Sequence, residues 1–253
     1  MQTVSLTDNQ KDKITDFLKN DPNVYAGNES ACLLFIGAIL RIARSGGQWR
    51  LLPEKYGLWN SVYRRFARRS VRGVWERLFA FCARDPDSEL LIPDSTVIRA
   101  HPCAAGALKK HGGQDEQAPG RSRGGFSTEI RIAADAPGNP LKFILTPGQR
   151  HDITQAEALT DDFRPAAVPA DKGYDSEPYR QYLKERGALP VIPPRSGRKN
   201  PQDYDRHLYK ERHLAECFIN KIKHFRRIFS RSDKLSARYL SFLHFVGALI
   251  WLR

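Results

Sequence analysis

Three acidic residues stand where they could do chemistry: Asp94 on or just past a strand, Asp171 at the end of another, and Glu216 in a long helical stretch. Hard divalent cations such as Mg²⁺ take a few carboxylate oxygens and fill the rest of their shell with water or substrate phosphate. Two such ions could activate water and stabilise the leaving oxygen of a phosphodiester displacement. Three acids picked by position out of 28 would mean little alone. The surroundings of Glu216 mean more. Tyr209, Arg212, Glu216 and Lys223 follow one another at offsets of 3, 4 and 7, so on a continuous helix all four lie close to one face. A carboxylate bracketed by Arg and Lys can hold a metal while the cations meet phosphates. Ordinary i,i+4 pairing of Arg212 with Glu216 explains neither Tyr209 and Lys223 nor the crowding of Lys221, Arg226, Arg227 and Arg231 into the same segment.

The charge of the whole chain points the same way. Its 253 residues carry 41 Lys and Arg against 28 Asp and Glu, a net of +13. A folded chain with that excess suits a polyanion: nucleic acid first, an anionic membrane surface second, with a merely solvated basic surface as the plain alternative. The excess sits in two blocks, residues 41–77 and residues 195–238, each with a net charge of +8. An apolar content of 41% can fill a real core, and the composition excludes collagen, a disulfide scaffold and wholesale disorder.

Export and membrane readings find little support. The opening MQTVSLTDNQKDK does not read as a signal peptide, and the apolar stretch from Tyr239 to Leu252 is too short to span a bilayer, so a buried closing helix is expected there. Cys32, Cys82, Cys103 and Cys217 are scattered without metal-finger spacing, as expected of reduced thiols in a cytoplasmic, nucleoid-associated protein.

The elements that must position these residues can be placed from pattern. Helices are expected from Thr7 to Leu18, capped by Ser5 or Thr7, from Ala31 to Ala43, over Leu51–Tyr56, from Asn60 to Arg69, and from Val74. Short helix, glycine turn and Arg-dense helix outline a helix-turn-helix. On its second helix Val62, Tyr63 and Phe66 would face the core, leaving Arg64, Arg65, Arg68 and Arg69 on the remaining surface to meet DNA. After Arg84-Asp85-Pro86-Asp87 the texture changes. A strand leads into Asp94, and a loop rich in Gly, Lys and Arg fills 101–125. A hairpin turns at Ala136–Asn139, a helix covers Asp152–Asp161, and a strand ends at Asp171. Another helix spans Glu177–Arg186, a strand spans Leu189–Ile192, and a long helix runs from Leu208 to Phe229. The expected class is α/β, a small all-α domain over 1–88 preceding an α/β domain over 89–253.

These residues also carry a resemblance. The spacing Tyr209-x2-Arg212-x3-Glu216-x6-Lys223 matches the Y-(2)-R-(3)-E-(6)-K signature of DDE transposases of bacterial insertion sequences, and the chain resembles the insertion-sequence-five family in particular. Asp94 in PDSTVIRAH resembles the first catalytic Asp of that family, and Asp171 in ADKGYDS the second. Further matches are GRSRGGFSTEI, GNPLKFILTPGQRHDITQAEAL, YKERHLAECFINKIKHFRRI, the closing ALIWLR and, in the first third, LPEKYGLWNSVYRRFARRS. The resemblance implies a ribonuclease H-like catalytic domain in which Asp94, Asp171 and Glu216 bind two Mg²⁺ ions, with Mn²⁺ as a substitute. It implies cleavage at the element's ends and strand transfer into target DNA, without a covalent enzyme intermediate. Tyr209, Arg212 and Lys223 would position terminal double-stranded DNA, and pairing two ends implies a homodimer in the synaptic complex.

Four positions depart from the family pattern: Pro93 and Pro169 stand where aliphatic residues are usual, Arg41 replaces an aromatic, and Cys217 follows the catalytic Glu. Proline is poorly tolerated in a central strand. Drift tolerated at strand ends is the plain explanation. A decayed or domesticated copy acting as a non-catalytic DNA-binding regulator is the alternative function.

Overall fold

In a computed structural model, the described residues are 6–104, 117, 120–122, 125–148 and 152–253. Ser5 and most of the 101–125 loop expected from the sequence lie outside them. In chain order the elements are α1 (Asp8–Asn20), α2 (Glu29–Ser45), α3 (Trp59–Val71), α4 (Val74–Cys82), β1 (Ile92–Ala100), β2 (Gly120–Ser122), β3 (Gly125–Ala134), β4 (Pro140–Pro147), α5 (Ala156–Thr160), β5 (Ala167–Pro169), α6 (Glu177–Glu185), β6 (Leu189–Val191), α7 (Arg206–Lys210), α8 (His213–Lys223), α9 (Arg226–Phe229) and α10 (Ser236–Trp251). The chain forms two compact units, one of residues 1–84, 101–117 and 222–253, the other of residues 85–100 and 118–221.

The first unit is helical. Thr7 and Gln10 form a capping box at the start of α1, and Asn28 caps α2. Gly46 ends α2 at φ +65°, and a Cβ there would meet the Arg226 Cβ at 2.9 Å, so only glycine fits. Arg41, a departure from the family pattern, lies on the exposed side of α2 and leaves the core unbroken. The expected short helix over Leu51–Tyr56 is instead two single 3₁₀ turns, Trp49–Leu51 and Glu54–Tyr56, divided at Pro53, which disfavours helical backbone in the residue before it. α10 is buried along nearly its whole length, from Tyr239 to Ile250. A helix apolar all round needs neighbours on every side. Trp49, Phe66 and Trp75 supply them: Phe66 stacks on Phe242 at 4.6 Å, and Trp75 meets Phe245 edge-on at 5.5 Å. This is why the closing helix joins the N-terminal helices in one compact unit, although the sequence groups it with the downstream domain. Among the described residues no helix is long and apolar enough to cross a membrane.

The second unit is a mixed α/β body that fits the ribonuclease H-like domain expected from the sequence. β3 pairs antiparallel with β1 on one side and with β4 on the other, with Asp94 opposite Ile132. β5 and β6 pair in parallel, and a single parallel bridge, Leu90 to Ala167, joins the lead-in of β1 to β5. Strand alternation divides the core. Leu91, Ala133 and Val168 face a core with Leu159, Tyr179 and Leu183. Ile92, Ala134 and Ala167 face the opposite one with Ala215, covered by Tyr209 and Leu214.

Pro93 and Pro169 find their explanation in that single bridge. Ala167 N–H donates to the Glu89 carbonyl and Leu91 N–H to the Ala167 carbonyl. In a parallel ladder the next two donors would be the N–H groups of residues 169 and 93. Both are prolines and have none. The missing donors therefore face each other at one seam. The β1–β3 ladder and the β5–β6 ladder, where Ala170 N–H reaches the Val191 carbonyl, lose nothing.

Candidate active site

Alternation puts Asp94 on the same face as Ile92, the face covered by α7 and α8. Asp171 follows β5 at the same parity as Ala167 and Pro169. It caps the 3₁₀ turn Lys172–Tyr174, its Oδ1 accepting from Gly173 N–H at 2.7 Å.

The long helix expected from Leu208 to Phe229 is broken into α7, α8 and α9. At residues 211–212 the backbone tightens to i→i+3 bonds: Glu211 N–H to the Leu208 carbonyl and Arg212 N–H to the Tyr209 carbonyl. The hairpin turn packs just beyond this point. Gly138, at φ +81°, lies so close that a Cβ there would stand 3.0 Å from the Leu214 Cβ and carbonyl oxygen. Tyr209, Arg212, Glu216 and Lys223 therefore do not share one continuous helix. Tyr209 is in α7, half-buried on the core with its ring 5.4 Å from that of Tyr204. Arg212 is in the turn. Glu216 and Lys223 are on α8, seven positions apart and thus on one face.

The turn brings Arg212 onto Asp94. Its Nη1 donates to Asp94 Oδ2 at 3.2 Å, and its Nη2 pairs with Glu216 Oε1. Asp94 is mostly buried, with 14% of its side chain exposed, whereas Glu216 is 51% exposed. Burial pushes the Asp94 carboxyl up to about 6; the Ser95 N–H and Arg212 pull it down, while the charges of Asp171 and Glu216 add to the rise. Burial pulls Arg212 down, but Asp94 and Glu216 outweigh it and hold the guanidinium above its ordinary value. Asp94 thus feels the charge of both other acids expected from the sequence, with Arg212 held between Asp94 and Glu216.

Among the described residues no group of three His, Cys, Asp or Glu side chains is gathered closely enough to hold a metal ion. The donor chemistry nevertheless fits a hard cation: partly buried Asp94 feels the negative charge of Asp171 and Glu216, and one guanidinium offsets it.

A clamp centred on Asp175, the second Asp of ADKGYDS, holds the Asp171 loop. Asp175 accepts from Arg180 Nε at 2.9 Å and from Arg195 N–H at 2.8 Å, and pairs with Arg198. Arg195 in turn donates to the carbonyls of Lys172 and Gly173 at 3.0 and 2.7 Å. Burial presses Asp175 up, but these donors outweigh it and keep the carboxyl below the ordinary range. Within the 195–238 block, Arg195 and Arg198 are thereby committed to the fold. So is buried Arg227, which pairs with Asp233 at 2.7 and 2.9 Å. Cys217 is exposed.

The arginines of α3 are not one exposed face. Arg64 and Arg68 are exposed, Arg65 is half-buried, and Arg69 is only 5% exposed. Arg65 and Arg69 lie over the Phe35 ring at 4.4 and 4.8 Å, because an Arg stem packs readily on an aromatic face. The assignment of Arg69 to an open DNA-facing surface is corrected accordingly.

Comparison with known proteins gives a consistent family. Residues 6–79 match the model described as "Putative transposase of IS4/5 family", and residues 85–243 match "Transposase DDE domain". A Brucella ovis protein named "Putative transposase for insertion sequence element IS6501" is 38% identical over 133 residues, which is 51% of this chain and 100% of that protein. A Burkholderia cepacia protein named "Putative transposase for insertion sequence element IS402" is 34% identical, over 47% of this chain and 60% of that protein. Among solved structures, the piggyBac transposase synaptic complex with hairpin DNA is 14% identical with a TM-score of 0.43, covering 76% of this chain and 50% of that one. The matched models span both halves of the sequence, and the chain belongs to the DDE transposases of insertion sequences.

Proposed function

We propose that this transposase cleaves DNA at the ends of its insertion sequence and transfers the freed strand into target DNA, with Asp94, Asp171 and Glu216 as its catalytic acids. The observation that carries the proposal is Arg212 held between Asp94 and Glu216, with Asp94 feeling the charges of both Asp171 and Glu216. The family uses divalent metal ions, and these three residues would hold two Mg²⁺ or Mn²⁺ ions. When bound, such ions supply positive charge for water activation and for the leaving oxygen.

The remaining work falls to the chain's own groups. β1 fixes Asp94 through its ladder with β3. The Asp175 clamp holds the backbone from which Asp171 projects. Arg212 balances the site's negative charge and, displaced toward solvent, can meet a phosphate as a two-pronged donor. Lys223 adds a cation on the α8 face that carries Glu216. Tyr209, packed on the core, positions the Arg212 turn. The partner is double-stranded DNA, as terminal inverted repeats and as target, and a homodimer would pair two ends. The helical unit, with the exposed Arg64 and Arg68 as in a helix-turn-helix, supplies phosphate contacts.

The test is product analysis. Full-length protein with Mg²⁺ and a duplex ending in the element's inverted repeat should release a free 3′-hydroxyl end and join it to a second duplex. A protein that binds the same duplex and yields neither product would be the non-catalytic regulator instead.

A further inference from the structure

Arg65, Arg68, Arg69 and Arg72 stand at offsets of 3, 4 and 7 along α3 and its C-cap, so they share one helix face. That face lines a pocket of about 370 Å³ whose other lining residues come from the 23–32 segment, among them Cys32 and the 89% exposed Tyr25. Four like charges on one face repel one another and call for anions. The acids flanking this segment are already engaged: Asp21 with Arg77 at 2.8 and 3.0 Å, and Glu29 with Lys19 at 2.8 Å. Among the described residues none of the four arginines forms a salt bridge. Arg65 Nη2 contacts only a sulfur, Cys32 Sγ at 3.2 Å, and Arg72 Nη1 reaches the Asn23 carbonyl at 3.3 Å. Arg69 is 5% exposed, and its buried Nη1 has no hydrogen-bond partner. Burial, and then the charge of Arg65, drive the Arg69 guanidinium down to about 10, as expected of a buried cation lacking its counter-ion.

We propose that this pocket is a phosphate-binding site, taking a phosphate group with its attached sugar, as a backbone phosphate of DNA or as a free nucleotide. Guanidinium forks match phosphate oxygens, and an unpaired Nη1 on the buried arm is a donor awaiting an acceptor. The volume sits at the small end of ligand pockets, with room beyond a bare phosphate. Exposed Tyr25 offers an aromatic face on which a base could stack. Only the DNA source rests on the function proposed above; the phosphate chemistry does not.

Two probes on the full chain separate these sources: inorganic phosphate by calorimetric titration in chloride buffer, and duplex DNA over a salt series. The variants are Arg69→Met, which keeps the stem over Phe35, and Arg68→Gln with Arg72→Gln, which alters only exposed side chains. Both should weaken inorganic phosphate about tenfold or more, as expected when a charge-assisted pair is removed. If the pocket takes a DNA phosphate, Arg69→Met, which leaves the exposed Arg64 and Arg68 in place, should also make the slope of log K against log salt shallower by about one. Weakened phosphate with an unchanged DNA slope assigns the pocket to a free nucleotide and still supports the proposal. Unchanged phosphate titration overturns it, whatever the DNA slope does, because diffuse charge alone would then explain the slope. An inactive chain would still titrate with phosphate, so failure of this site and failure of the catalytic reading are distinguishable.

Discussion

Arg212 donates to Asp94 at 3.2 Å across most of the second unit's sequence, from a tightened turn rather than from the body of a helix. The turn lets one guanidinium serve both Asp94 and Glu216. Replacing it shows what it does. In Arg212→Gln the Asp94 carboxyl loses a charge that lowers it and should rise further above about 6. The acidic limb of metal-dependent cleavage should then move up by about one pH unit. A pH–rate profile measures this, and an unmoved limb would show that Arg212 does not set the charge state of Asp94.

The clamp on the Asp171 loop should be worth much more than the surface pair beside it. In Asp175→Asn the buried Arg180 and the Arg195 backbone lose their charged partner, at a cost of about 3–5 kcal/mol. Glu177, exposed and paired with Arg198, should cost under about 1 kcal/mol as Glu177→Gln. Urea unfolding compares the two. Equal losses would mean that the Asp175 cluster is an ordinary solvated network.

His244 should make stability depend on acid. Burial holds its imidazole down to about 4, against 6.5 when solvated, and its ring stacks on Phe79 at 5.5 Å. Between those values the unfolded chain takes up a proton that the folded chain refuses. Its contribution is therefore complete above about 6.5 and is lost as pH falls toward 4, by up to about 3 kcal/mol. From about pH 7 to pH 4 the melting temperature of wild type should fall further than that of His244→Phe, which has no such group to protonate. Parallel curves would contradict the assignment.

The facing prolines also allow a direct measurement. In Pro93→Val with Pro169→Val, the new N–H groups at 93 and 169 face the carbonyls of residue 169 and of Leu91 across the seam. Each bond would add about 1 kcal/mol, and a looser unfolded chain would take back a similar amount. The melting temperature should move little. The amides introduced at 93 and 169 should nevertheless exchange slowly with deuterium. Fast exchange would mean that the seam does not close when donors are supplied.

The sequence made local structure legible where caps and periods were strong. Thr7 caps the first helix as expected, the apolar run 31–43 is helical, and the strand expected to lead into Asp94 is β1. It also brought out the three acids and Arg212. It missed what depends on distant neighbours. The break at residues 211–212 lies beside a contact of Leu214 with the hairpin turn at Gly138, far away in sequence. The burial of Arg69 depends on Phe35; Arg198 is spent on Asp175 and Arg195 on the Lys172 and Gly173 carbonyls, groups that only folding brings near, while Arg227 is spent on Asp233, six residues on. Net charge by segment therefore overstated the basic surface available to DNA.

Single-turnover cleavage of a duplex carrying one element end, with Mg²⁺ and then with chelator, tests the centre most directly. Wild type should cut only with metal, and Asp94→Asn, Asp171→Asn and Glu216→Gln should each lose cutting while still binding the duplex. The same products from wild type and Asp94→Asn would contradict a centre built on these three acids.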